Sequence, residues 1–126
     1  MASQARRMGD MMKVAQKDFR LFRKYFMEYR KLFGLTGYRI YFRFEPLGDG
    51  TTANITVEYE RSIATVRLGS SPYNEDDFDI KSFARHEALH LLLGRFNHKA
   101  YARFVSEDEI REANEEVVMK LEQLVK

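Results

Sequence analysis

The chain has 126 residues, 44% hydrophobic and 32% charged with only two Pro, so it fits one globular domain over 1–126 and excludes a linker, a collagen or a disordered tail. The absence of Cys excludes a disulfide scaffold, a thiolate metal site and a cysteine nucleophile. The net charge of +2 conceals an uneven spread, with eleven Lys/Arg against three Asp/Glu in residues 1–43, two against eight in 44–79, and eight of each in 80–126.

Residues 1–9 have no periodic pattern and are expected to fray. They also lack the apolar segment of a secretory signal, and no later run is apolar enough to cross a bilayer. The expected location is therefore the cytoplasm. From Asp10 to Phe33, Val14, Phe19, Phe22, Phe26, Tyr29 and Phe33 recur at steps of three and four, which gives a helix with one aromatic face. Its other face is rich in Lys and Arg. A solvated amphipathic helix accounts for that charge, and a nucleic-acid or protein-docking face is the alternative. Gly34 and Gly37 end the helix.

Tyr38, Ile40, Phe42 and Phe44 then alternate with Arg39, Tyr41 and Arg43, the period of a half-buried strand. Turn chemistry at 46–50 leads to a second strand over 53–60, and Glu60-Arg61 turns into a third over 62–68. Residues 69–79 form an acidic loop, from which Asp77 or Asp79 would cap the next helix. That helix spans 80–93 and is apolar on most sides, which predicts a buried central position; Gly94 is expected to stop it. Residues 96–104 form a connector. Ser106 and Glu109 fit a capping box opening a last helix, with Ile110, Ala113, Val117, Val118, Leu121 and Val125 inward.

The buried helix carries His86-Glu87-Ala88-Leu89-His90, the pattern HExxH. Residues four apart lie one turn apart on one helix face, so both imidazoles can reach one metal ion. Glu87 lies one residue round from His86. There it would stand beside the open position of a zinc ion (Zn2+) and take a proton from a metal-bound water. A catalytic zinc generally has three protein ligands. His98 is one candidate, and the acids of the last helix are the others. Placing residues at about 100° each puts the apolar centre of that helix between Val117 and Val118. Glu115 then lies closer to the inward face than Glu116. Glu115 is the preferred third ligand, with Glu116 and His98 as alternatives. By residue type, Tyr73, His98, Tyr101 and Arg103 are candidates to stabilise a developing oxyanion, and Tyr101 and Tyr73 are retained.

An N-terminal helix, a three-stranded sheet, a buried HExxH helix and a C-terminal Glu-bearing helix together resemble the zincin metallopeptidase fold, an α+β class. Glu115-Glu116-Val117-Val118 followed by Leu121-Glu122 resembles the small HExxH proteins of bacteriophage and prophage genomes and the one-domain gluzincin type. The resemblance implies zinc-dependent hydrolysis of a peptide bond, with His86, His90 and Glu115 as ligands and Glu87 as general base. It also implies an extended polypeptide substrate lying antiparallel to an edge strand, expected at 62–68. His98-Lys99-Ala100-Tyr101 with Phe104 is loosely similar to SprT-like proteases, which place a third His downstream. The alternative from another class is a non-catalytic metal-binding or basic-helix module that binds nucleic acid or a protein.

Overall fold

A computed structural model describes residues 11–12, 14–48, 50–70, 73–74, 79–102 and 104–124; at 11, 12, 73 and 74 it describes the backbone alone. The elements run β1 (Met11–Met12), α1 (Gln16–Leu32), β2 (Arg39–Glu45), β3 (Ala53–Glu58), β4 (Ile63–Gly69), β5 (Tyr73–Asn74), α2 (Ile80–Tyr101) and α3 (Glu107–Glu122). The class is α+β, with three helices and a three-stranded mixed sheet among the described residues. Strand β5 lies in the stretch expected to be an acidic loop and pairs with β1, which lies at the start of the stretch expected to be helix, with Met11 opposite Asn74 and Met12 opposite Tyr73. The frayed stretch expected at 1–9 lies outside the described residues.

Helix α1 starts later than its apolar period suggests. Ala15 is extended, with φ −98° and ψ 164°, and its N–H donates to the Asp18 carboxylate at 2.9 Å. Satisfying that orphan donor sets the helix start at Gln16. The aromatic face then packs as its spacing predicts. Phe22 and Phe26 are fully buried. Phe19 stacks on Phe44 with centroids 5.1 Å apart, and Phe26 meets Phe42 edge-on at 5.6 Å. Arg30 ties the helix end to the start of β2 by donating to the Thr36 and Tyr38 carbonyls.

The strand order is β2-β4-β3, with β2 parallel and β3 antiparallel to β4. The strand at 62–68 is therefore the centre of the sheet, and its expected role as a substrate-binding edge is corrected. Both of its hydrogen-bonding edges are taken, and Ala64, Val66 and Leu68 are fully buried under the helices. The β3–β4 hairpin explains the order. Its turn at 59–62, with Ser62 at φ 53°, returns the chain so that β4 can slot beside β2. The edges of the sheet are β2 and β3.

Helix α2 is 22 residues long and runs straight through Gly94 to Tyr101. The predicted stop fails because Gly94 serves packing rather than termination. A Cβ at this position would collide with the Tyr59 hydroxyl, so only glycine lets the strand end approach the helix. Asp79 caps the helix by accepting from the Ser82 N–H at 3.2 Å. Ser106 caps α3 by accepting from the Glu109 N–H at 3.1 Å, as its capping box predicts. No helix among the described residues is long and apolar enough to cross a membrane.

Candidate metal centre

Helix α2 buries Ala84, Glu87, Ala88, Leu91 and Leu92 and leaves His86 and His90 exposed. The helix is thus half-covered rather than buried all round. The two imidazoles sit where its packed face meets an open groove of about 860 Å³. Edge strand β3 forms the opposite wall through Ala53, Asn54, Ile55 and Val57. The ring planes of His86 and His90 are nearly perpendicular, and their Nε2 atoms lie 3.1 Å apart. Two ligand nitrogens at ~2.05 Å from a tetrahedral zinc would be ~3.3 Å apart, so little movement separates this pair from a ligating one.

Glu87 completes the group. One potential ligand atom from each of His86, Glu87 and His90 lies within 4.8 Å of the others. The glutamate is only 4% exposed, and its Oε2 is buried without a hydrogen-bond partner among the described residues. Burial raises its carboxyl above the usual glutamate range, while His90 and then His86 pull it back down. A buried acceptor without a donor is costly, and an ion or a polarised water between it and the imidazoles would satisfy it. The two imidazoles would supply two of the three protein ligands usual for an open zinc site, with the Glu87 carboxylate beside them; no third ligand joins them among the described residues. The residues therefore fit a divalent metal, and the group is able to hold one.

No other His, Asp or Glu joins this group among the described residues. Glu115 is exposed on α3 and lines a separate, shallow depression with Asp108, Arg111 and Glu112. The buried stripe of α3 centres on Ala113 and Val117, whereas Val118 is 37% exposed. At about 100° per residue, Glu115 points roughly opposite that stripe. Glu116 is nearer to it but also exposed. His98 does line the groove. On a continuous helix it stands eight residues beyond His90, about 12 Å along the axis. Its ring stacks on Tyr59 with centroids 4.5 Å apart. The structure thus brings none of the three expected third ligands to the histidine pair.

Tyr101 lines the groove and is 87% exposed, but it stands eleven residues beyond His90, about 16 Å along the helix axis, too far to act as an oxyanion stabiliser at the histidine pair. The side chain of Tyr73, and Arg103, lie outside the described residues. Tyr59, Gly94 and Asn97 are among the groove residues that a reading of the sequence alone does not bring to the site. Burial, then Tyr38, raise the Tyr59 hydroxyl above its ordinary value while Arg95 lowers it. The alternation Ile55-Val57-Tyr59 could have marked Tyr59 as facing the helices, but nothing in the sequence pairs it with Gly94.

No family model matches the sequence, and no curated protein does. Among solved structures, the chain is similar to the metallopeptidase zymogen of Methanocaldococcus jannaschii jannalysin, at 18% identity over 87% of this chain and 96% of that chain, with a TM-score of 0.42. A likeness at that level carries no weight for function, which must be read from the side chains of the groove.

Proposed function

We propose that the chain is a zinc-dependent peptidase of zincin-like design, with His86 and His90 as metal ligands and Glu87 as the proton carrier. One observation carries the reading. The buried carboxylate of Glu87 has an oxygen without a hydrogen-bond partner among the described residues, and it belongs to the same close group as the two imidazoles, at the edge of an open groove. When bound, the metal supplies a lowered water pKa and polarisation of a carbonyl oxygen.

The protein's own residues do the rest. Glu87 accepts a proton from the attacking water and returns it to the leaving amine. Its burial disfavours the charged form, which makes it a stronger base than an exposed glutamate. Among the described residues, edge strand β3 offers one unpaired row of backbone N–H and C=O groups beside the histidines, in place of the 62–68 strand. An extended polypeptide would add there as an antiparallel strand, held by main-chain hydrogen bonds.

Elemental analysis of the purified full chain tests the metal half of this reading. Close to one zinc per chain, lost on dialysis against a chelator, is expected. A chain that binds no zinc at micromolar metal removes the proposal.

A further inference from the structure

The groove does not end at the histidines. It continues along α2 past Gly94 to Asn97 and His98, walled on the other side by Tyr59 at the end of β3. Tyr59 and His98 form a stacked pair there, with an interplanar angle of 24°. The missing Gly94 side chain lets the Tyr59 hydroxyl reach the helix and so holds the ring in place. An exposed histidine stacked on a half-buried tyrosine has no packing requirement of its own. What it presents to the groove is an aromatic surface.

The direction of β3 along α2 is set by this contact. Residues 53–59 span about 20 Å as an extended strand. With Tyr59 at the level of Gly94 to His98, a strand running the other way would start beyond the end of the helix at Tyr101. Ala53 must therefore lie back toward Phe83 and His86, and both line the same groove. A peptide antiparallel to β3 has its N-terminal part at the Tyr59 end.

We propose that Tyr59 and His98 form a specificity subsite that takes an aromatic side chain on the N-terminal side of the scissile bond. This rests on the peptidase reading for the word scissile, and on the groove alone for the aromatic preference. His98 lies eight residues beyond His90, about 12 Å along the helix. An extended peptide covers that distance in about four residues. The subsite therefore reads a residue about four positions upstream of the bond, well separated from the metal. Neither residue is a catalytic residue; they act by holding the substrate.

The test uses ten-residue peptides of Ser, Gly and Ala that carry one Phe, moved one position at a time. Cleavage by the zinc-supplemented full chain is measured for each, and the bond cut is located by mass spectrometry. Binding of the same fluorescein-labelled peptides to the non-cleaving Glu87→Gln chain is measured by anisotropy. Phe about four residues upstream should lower KM about three- to tenfold with kcat nearly unchanged, the scale of one aromatic contact. The preference should vanish in His98→Ala and return in His98→Phe. In the Glu87→Gln chain the same peptides should shift the His98 ring resonances.

Cleavage with an upstream preference indifferent to His98→Ala overturns the subsite and leaves the peptidase reading standing. Phe-dependent binding at His98 without cleavage by the wild-type chain does the reverse. A chain that neither cuts nor binds any peptide of the set overturns both.

Discussion

The Nε2 atoms of His86 and His90 stand 3.1 Å apart on one face of α2, and both rings are exposed to the groove. Neither ring contributes to the buried core, so each can be removed without a large cavity. His86→Ala and His90→Ala should each weaken zinc binding at least about 100-fold, since a two-imidazole site loses half its nitrogen ligands. The metal-free Tm should fall by only a few degrees, on the order expected for an exposed substitution. Calorimetric zinc titration and thermal unfolding check the two halves separately.

Glu87 should destabilise the metal-free protein at neutral pH. Burial raises its folded-state pKa above the unfolded value, so the folded chain binds its proton more tightly. Stability from this group is therefore greatest on the acid side and declines as pH rises from the unfolded carboxyl range through the raised folded value. Glu87→Gln removes the charge, so it should raise metal-free stability at pH 7 and flatten that segment of the pH profile. Urea unfolding across pH 4 to 8 reads both effects.

Gly94→Ala reverses the usual sign of a helical substitution. Ala in place of Gly in an exposed helix interior stabilises by about 1 kcal/mol. Here the added Cβ meets the Tyr59 hydroxyl, and overpacking of this kind costs about 1–3 kcal/mol. The double change Gly94→Ala with Tyr59→Phe removes the hydroxyl and should recover most of the loss. Equilibrium unfolding of the three variants shows whether the two positions are coupled.

Glu109 links the two C-terminal helices. Its carboxylate accepts from Lys99 at 3.4 Å, and its backbone N–H donates to Ser106. The Lys99 hydrogen bond, followed by one from the Ser106 backbone N–H to the carboxylate, holds its pKa below the usual glutamate range. A depressed folded pKa means stability that is present above the unfolded value and is lost as pH falls through the folded one. The α2–α3 contact should loosen below the ordinary carboxyl range. Lys99→Met should remove most of that dependence, as followed by hydrogen exchange of α3 amides.

Local patterns are legible in the sequence because they depend on neighbours in the chain. The aromatic face of α1 comes from spacing alone, as do the alternation of β2 and the cap at Ser106, while for α2 the sequence leaves Asp77 and Asp79 both open. The meeting of the two imidazoles also comes from spacing, because a helix turn fixes it. Features that depend on distant partners are not legible in this way. Gly94 looks like a helix stop until Tyr59 is placed against it. The 62–68 strand looks like an edge until β2 pairs with it. Glu115 looks inward only if Val118 counts as core, whereas α3 packs through Ala113 and Val117. Apolar character alone places a helix face only to within about a residue, and one residue is about 100°.

In the proposed mechanism Glu87 moves the proton in a metal-dependent cleavage. The most direct test of that step is the rate of hydrolysis of an unfolded protein substrate by wild-type and Glu87→Gln chains at equal measured zinc content. A general acid–base group contributes about 100- to 10,000-fold. The wild-type chain should cut and the variant should be slower by that order while retaining its zinc. Equal rates from the two zinc-loaded chains would contradict the role given to Glu87.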